Sequence, residues 1–489
     1  MANRALVAGV DSSTQSSKVE LRERDSGSLV DRASAPHAHT RWDPPVSEQD
    51  PETWWEALAA CFAQFSEADR ARVAAISVAG QQHGLVLLGE AGEVLRPAKL
   101  WNDTTSAAQA HDLVARLSPR EWAGRCGSVP LASFTIAKLA WVLDNEPHLA
   151  DQIAQVMLPH DWLTWRLSGE HVTDRGDASG TGWFDPVRNE LAPDLLGLAV
   201  GDPASWLWRL PRVLGPAEAA GPIAGEAAAA LGLPDTLLVG PGTGDNMGAA
   251  LGLGLKPGDT VISLGTSGTA YSVSRTPAND ASGAVAGFAD ATGVYLPLVC
   301  TLNATRVTDS MARWLDVDPA GLAELALAAA DGPVAPVVVP YFDGERTPDL
   351  PDATGTISGL RTDTSREQLA LAAHDGVLCG LLDGLDALRS AGVDTGGRLH
   401  LIGGGARSPA YRIRAAGLSG VPVVVPHDDE TVALGAAVQA AAIATSTTPA
   451  EVAAAWPLGE GQTANPPPGV DGARIRSRYA EAAAIALGP

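Results

Sequence analysis

Two short segments far apart in the chain follow one plan, and this repeat limits the fold more than any other feature. Residues 5–10 read as a buried strand, residues 11–17 as a turn of small hydroxylated side chains, and residues 18–22 as the returning strand. Residues 260–264 likewise run into Gly265-Thr266-Ser267-Gly268 and return through residues 270–273. Apolar runs of this length, bounded by glycine and hydroxyl residues, are hairpin signals. One hairpin near the start and one just past the middle predict a duplicated domain whose halves face each other across a cleft.

The remaining pattern agrees with an α/β fold. Alanine-rich helical periodicity alternates with short Val/Ile/Leu runs bounded by glycine, as in chains whose sheets are mostly covered. Further strands are predicted at 73–78, 85–88 and 237–239. A long helix is predicted at 364–390, opened by a capping box of Thr364 and Glu367. Residues 398–402 form the next strand, Gly403-Gly404-Gly405-Ala406 its turn and 408–418 a helix, so a glycine turn sits at a strand's carboxyl end. Pro466-Pro467-Pro468 marks a linker before a final helix over about 473–487. The main boundary is expected near Val239. It gives domains 1–239 and 240–489, with the final helix expected to pack back across them.

Composition removes several classes of function. A chain of 489 residues has room for two to roughly four domains. Its net charge of -23, from 57 acidic against 34 basic residues, argues against nucleic acid, whose binders cluster lysine and arginine on one face. Cys61, Cys126, Cys300 and Cys379 form no Cys-x-x-Cys pair, so neither a disulfide framework nor a zinc site is expected. The opening apolar run meets Asp11 too soon for a secretory leader. No stretch reaches the roughly 20 apolar residues of a membrane helix. The expectation is a soluble, cytoplasmic protein with no membrane partner. A Gly-x-x-x-x-Gly-Lys-Ser/Thr phosphate loop and a Gly-x-Ser-x-Gly elbow are both absent.

Five constellations could carry chemistry, and each has a plainer reading. In Asp11-Ser12-Ser13-Thr14-Gln15-Ser16-Ser17-Lys18, backbone amides and hydroxyls can cradle phosphate, the lysine can offset its charge, and the aspartate can hold hydrated magnesium. The same run also reads as a solvated serine-rich turn. Gly265-Thr266-Ser267-Gly268 supplies a matching turn from the second half, and Gly403-Gly404-Gly405-Ala406 lets a flat ring approach the backbone, or serves only as a helix entry. Gly240-Pro241-Gly242-Thr243-Gly244-Asp245-Asn246 places a carboxylate in a glycine-rich loop. Asp245 can take a proton from an alcohol, or simply cap the alanine-rich helix behind it. Gln81-Gln82-His83-Gly84 and Trp101-Asn102-Asp103 offer directional polar groups and an indole face to a polyhydroxylated ligand. His83 alone would more often be structural, and the Trp-Asn-Asp run also reads as a helix start. Pro36-His37-Ala38-His39 lacks partners at metal spacing and reads as a loop, while Trp54-Trp55 and residues 162–165 read as core.

Taken in order, these motifs resemble the FGGY family of carbohydrate kinases, and within it the xylulokinases, over nearly the whole chain. The resemblance is carried by residues 80–88 with 95–103, by Gly244-Asp245-Asn246, by Ser263-Leu264-Gly265-Thr266-Ser267-Gly268 and by Gly344-Glu345-Arg346-Thr347-Pro348. Gly403-Gly404-Gly405-Ala406-Arg407-Ser408-Pro409, followed by Glu430 and Gly435-Ala436-Ala437, completes it. It implies two actin-like, ribonuclease H-like domains with a catalytic cleft between them. It also implies phosphorylation of a ketopentose by ATP with Mg2+, D-xylulose to D-xylulose 5-phosphate, with ribulose, L-xylulose or another polyol as alternatives. By the same resemblance Asp245 is the general base, and Gln82, His83, Trp101, Asn102, Asp103 and Asn246 meet the sugar. Thr14, Gln15, Lys18, Gly265 and Thr266 hold phosphates, Asp11 organises magnesium together with Asp245, and Gly404, Gly405 and Ala406 meet the adenosine. A homodimer is expected by family analogy.

Ser13 stands where many relatives have glycine, Gln82 where methionine is frequent, and Tyr411 and Ile413 replace the usual tryptophan and glutamine near the adenine side. The competing reading is an actin-like or chaperone-like ATPase clamp, which would lack the sugar-facing set.

Overall fold

The strand Leu6–Ser12 is buried at every position, which is why it reads as an unbroken apolar run rather than an alternating one. It pairs antiparallel with Ser16–Glu23, setting Asp11 opposite Lys18, and parallel with Val73–Gly80, setting Asp11 opposite Ala79. Leu29–Pro36 extends the sheet on one side, and Leu238–Val239 then Gly221–Pro222 extend it on the other. Thr243–Gly244 adds to the carboxyl end of Val73–Gly80, where Gly244 faces Gly80. The first turn is shorter than the sequence suggests. Ser13 N donates to Ser16 O, so Asp11, Ser16 and Ser17 are strand residues.

Helices cover this sheet, among them Glu52–Phe62 and Thr431–Thr445. Glu52–Phe62 buries Trp54, Leu58 and Phe62, each side chain contributing roughly 1.5–3 kcal/mol. Trp54 meets Trp162 edge to face at 5.9 Å, so these tryptophans are core, as expected. The second cover is Thr431–Thr445, almost wholly buried. A Cβ on Gly9 would overlap the Ala433 carbonyl oxygen, and one on Gly435 would overlap the Gly248 carbonyl. Only hydrogen side chains let this helix lie directly on the strand and on the helix Asp245–Gly252.

The second hairpin repeats the plan. Thr260–Leu264 pairs antiparallel with Gly268–Ser272 and parallel with Leu399–Ile402. The sheet continues from Tyr295–Thr301 beside Gly268–Ser272 to Val423–Pro426 and Gly461–Ala464 beyond Leu399–Ile402. The helix Arg366–Ser390 packs against it. Its capping box is Ser365 with Gln368, one residue on from the predicted Thr364 and Glu367. Thr364 instead accepts from Arg361 N. The Thr-Ser-Arg-Glu-Gln run satisfies the motif in two registers, and the loop selects the later one.

The computed structural model describes residues 5–38, 40–43, 45–329 and 335–486, which leaves His39, Leu487 and the opening four residues outside. The chain divides into a first unit of Met1–Leu255, Arg275–Leu296 and Glu430–Gly459, and a second of Lys256–Ser274, Pro297–Asp429 and Glu460–Pro489. The boundary therefore differs from the expected Val239. Asp245 belongs to the first unit, because Thr243–Gly244 hydrogen-bonds into its sheet and the helix behind it packs on Thr431–Thr445. The final helix, Gly472–Ala486, belongs to the second unit, where Ala482 and Ala483 pack on Val339 and Tyr341. No single helix among the described residues is long and apolar enough to cross a membrane.

Candidate active site

In the first unit, the carboxyl ends of adjacent parallel strands deliver Asp11, Gln81 and Asp245 to one region. Asp11 is 5% exposed and accepts from Ser13 Oγ at 3.0 Å. Burial pushes its carboxyl up to about 7, helped by the negative charges of Asp245 and Glu430 and opposed by Lys18 and the Ser13 hydroxyl. Ser13 thus replaces the usual glycine with a side chain that stabilises the Asp11 charge. Lys18 Nζ lies 2.6 Å from Glu430 Oε2, so the first-turn cation is held by an acid that no local sequence signal assigns to it.

Asp245 opens the helix Asp245–Gly252. Its Oδ1 accepts from Asn246 N at 2.8 Å and from Asn246 Nδ2 at 2.9 Å. Burial raises the carboxyl to about 6, and the Asn246 hydrogen bonds limit the rise. The same Asn246 amide donates to Gln82 Oε1 at 2.8 Å. Across the site Trp101 Nε1 donates to Thr14 Oγ1 at 3.1 Å, and Thr14 Oγ1 donates to Gln81 Oε1 at 3.3 Å. Thr14, expected at the phosphates, is therefore tied to Trp101 and Gln81. Gln15 is exposed at the turn's tip.

Three buried polar atoms here have no protein partner: Gln81 Nε2, Gln82 Nε2 and Asn102 Oδ1. Leaving such an atom unsatisfied costs about 1–3 kcal/mol, and a polyhydroxylated ligand would satisfy all three. His83 is placed differently. Its backbone is left-handed at φ 62°, a strain of order 1–3 kcal/mol for a non-glycine residue. The conformation is held by Thr135 Oγ1 and Lys138 Nζ, which donate to its carbonyl. The ring stacks on Phe134 at 5.2 Å, and its Nδ1–H donates to Gly180 O.

One expected sugar ligand is corrected. Asp103 is fully buried, and its carboxylate accepts from Ser47 N, Lys99 Nζ, Thr105 N and Thr105 Oγ1. Lys99 is equally buried, lies 3.2 Å from Glu48 Oε1 and sits 3.8 Å over the Trp141 ring. Asp103 holds the loop that presents Trp101 and Asn102, and its acceptor sites are already taken by these donors. Sequence reasoning also missed the groups under the Asp245 loop. Gln439 Nε2 donates to Gly242 O, Ser77 Oγ donates to Gln439 Oε1, and Thr243 Oγ1 donates to Asp174 Oδ2. Gln439 lies 362 residues from Ser77, so no local pattern could reveal that pair.

In the second unit, the adjacent parallel strands Thr260–Leu264 and Leu399–Ile402 end side by side, which brings Gly265 and Thr266 next to Gly404, Gly405 and Ala406. Thr305 N donates to Gly265 O and Ala304 N to Thr266 O, fixing the hairpin turn. A Cβ on Gly404 would meet nothing within 4 Å, so this face of the turn is open. Tyr411 is turned inward, its hydroxyl 3.1 Å from Thr308 Oγ1, whereas Ile413 is 38% exposed.

Among the described residues no group of three or more His, Cys, Asp or Glu is arranged to hold a metal. Asp11 and Asp245 are nevertheless close enough that Asp245 raises Asp11. Two carboxylates suit magnesium, which retains several waters and takes its other oxygens from phosphate.

Residues 6–252 match the N-terminal domain of the FGGY family of carbohydrate kinases, and residues 260–444 match its C-terminal domain. The xylulose kinase of Streptomyces coelicolor is 47% identical over 454 residues, 92% of this chain and 90% of that protein. That of Streptomyces rubiginosus is 46% identical, covering 93% and 92%. The crystal structure of xylulose kinase from Bifidobacterium adolescentis superposes with a TM-score of 0.84 at 41% identity, covering 98% of this chain and 100% of that one. With both domains matched in order, and the hairpins, the Asp245 loop and the glycine turn placed as described, the chain belongs to the FGGY family of carbohydrate kinases.

Proposed function

We propose that this protein transfers the γ-phosphoryl group of ATP to a primary hydroxyl of a ketopentose, converting D-xylulose to D-xylulose 5-phosphate. The observation that carries the reading is Asp245. Its carboxyl is raised to about 6, and its Oδ1 is fixed by Asn246 beside unpartnered Gln81, Gln82 and Asn102 atoms. A base near 6 is ionised at neutral pH yet still able to accept a proton. The xylulose kinases similar to this chain supply the choice of sugar.

In this reading Gln81, Gln82, His83, Asn102 and Asn246 bind the sugar hydroxyls, and Trp101 packs on its apolar side. Asp245 takes the proton from O5 as that oxygen attacks phosphorus in line. Phosphoryl transfer passes through a loose, highly charged transition state, so positioning and charge stabilisation do most of the work. Lys18, Gly265 and Thr266 hold the phosphates, and the open turn at Gly404, Gly405 and Ala406 takes the adenosine. Asp11 and Asp245 would hold magnesium, which when bound offsets charge on the β- and γ-phosphates. The enzyme works in the cytoplasm, a setting supported by four cysteines that form no disulfide with one another.

Sugar-dependent ADP release over a panel of ketopentoses and polyols tests the proposal. D-xylulose should give the highest kcat/KM. ATP hydrolysis indifferent to every sugar would overturn it and favour a partner-driven clamp.

A further inference from the structure

Beneath the Asp245 loop lies a buried charge cluster that the proposed chemistry does not use. His160, Asp161 and Asp177 have no exposed surface, and Asp174 is 3% exposed. His160 Nε2 lies 3.2 Å from Asp161 Oδ1, 3.4 Å from Asp174 Oδ1 and 3.4 Å from Asp177 Oδ2. One imidazole thus faces three carboxyl groups. Burial opposes a charge on His160, but the three acids outweigh it and raise it to about 9. Burial and the neighbouring acids, Asp245 among them, raise Asp177 well above the ordinary carboxylate range against the pull of His160.

Such a cluster is costly to bury, and its geometry shows what it supports. Asp161 accepts from Leu158 N at 2.8 Å, which fixes the start of the helix Pro159–Ser168 that carries His160. Asp174 Oδ1 accepts from Asp177 N at 2.9 Å, and its Oδ2 accepts from Gly176 N at 2.8 Å and from Thr243 Oγ1 at 3.0 Å. Thr243 stands two residues before Asp245. On the other side of the loop, Gly242 is gripped through its carbonyl by Gln439 Nε2 at 3.0 Å and through its amide by Ser77 Oγ at 3.3 Å. The backbone leading to the base is therefore clamped by side chains from a strand, a distant helix and the buried cluster. None of these clamping hydrogen bonds is made to Asp245 itself.

We infer that Asp174 and His160 are positioning residues for Asp245, acting through the Thr243 hydroxyl. The imidazole keeps Asp174 in place among acids that would otherwise repel it, and Asp174 sets the angle at which the loop presents the Asp245 carboxylate. This rests on the base assignment above. A misplacement of about 1 Å can lower a rate roughly 100-fold without weakening ground-state binding, so the effect should fall on kcat.

The decisive comparison is Thr243→Val against Thr243→Ser, because valine removes only the hydroxyl at nearly constant shape. Steady-state kcat and KM for D-xylulose and Mg-ATP are measured with the melting temperature of each variant. Thr243→Val should lower kcat roughly 10- to 100-fold with both KM values within about two-fold, and Thr243→Ser should restore most of the rate. His160→Lys, which retains a cation, should keep more kcat than His160→Gln. Wild-type kcat in Thr243→Val, or a loss that serine does not rescue, overturns the inference. If the His160 variants fail to fold, the Thr243 pair still decides. Asp245→Asn, assayed alongside, separates the two readings: unimpaired turnover there removes the base assignment, whereas an inactive Asp245→Asn beside a fully active Thr243→Val removes only the positioning role.

Discussion

Asp245 can accept a proton only while its carboxylate is ionised, and the desolvation that makes it a stronger base also narrows the pH range in which it works. With Asp245 raised to about 6 and the magnesium-holding Asp11 to about 7, kcat/KM should fall as pH drops from about 7 through 6, since protonation removes first the metal-holding carboxylate and then the acceptor. A profile flat to pH 5 would contradict the assignment. Asp245→Asn should cut turnover roughly 10²–10⁴-fold, while the rise in melting temperature on adding Mg-ATP survives. Asp103 should behave in the opposite way. Asp103→Asn leaves the buried Lys99 ammonium with one acid fewer, and breaking a buried pair costs about 3–5 kcal/mol. Chemical denaturation should show that loss, with KM for the sugar nearly unchanged in the folded fraction. The difference between these two aspartates was only half legible in the residues. Both follow polar, glycine- or tryptophan-bearing runs, but one meets a single side-chain donor while the other is enclosed by four donors drawn partly from Ser47 and Lys99.

At the scale of elements, the site depends on helices brought to backbone contact. The helix that begins with Asp245 crosses Thr431–Thr445 where Gly435 meets the Gly248 carbonyl. Gly435→Ala must push the two apart, at about 1–3 kcal/mol for overpacking, and the shift is delivered to the base. Lower stability together with lower kcat is the expected result. Gly404→Ala is the counterpart, since a Cβ there meets nothing within 4 Å. It should leave the denaturation midpoint unchanged while raising KM for ATP, and an unaltered KM would place the nucleotide elsewhere. The hairpins and the glycine turn were readable in advance, because strand–turn–strand periodicity and conformational freedom are local properties. The start of the long helix was misjudged by one residue, because two overlapping capping boxes differ only in which loop geometry leads into them.

At the scale of the molecule, the first unit is not a continuous stretch of chain. It is completed by Glu430–Gly459, whose helix covers Leu6–Ser12 and Val73–Gly80 and supplies Gln439 to the loop before Asp245. A fragment of residues 1–255 would expose the apolar face that this helix buries. It should therefore lack cooperative thermal unfolding and near-ultraviolet ellipticity, and a fragment that unfolds cooperatively would show the returning helix to be dispensable. The same discontinuity moved the domain boundary. The break expected near Val239 was drawn along the chain, whereas Thr243–Gly244 is drawn into the first sheet by hydrogen bonds to a strand some 160 residues earlier, as the Ser77 contact to Gly242 also shows.

From its residues alone this chain could be read as an α/β protein with two similar hairpins, a glycine turn after a strand and a carboxylate in a glycine-rich loop, because short-range pattern and chemical type are written directly in the order of side chains. Which acid is enclosed by donors and which meets only its neighbour was decided only by folding. So were the capture of Lys18 by Glu430 and the clamping of the base loop by Asp174, Ser77 and Gln439. Each of these depends on burial and on partners brought together from distant parts of the chain, and neither solvent exclusion nor long-range proximity is a property of any local run of sequence.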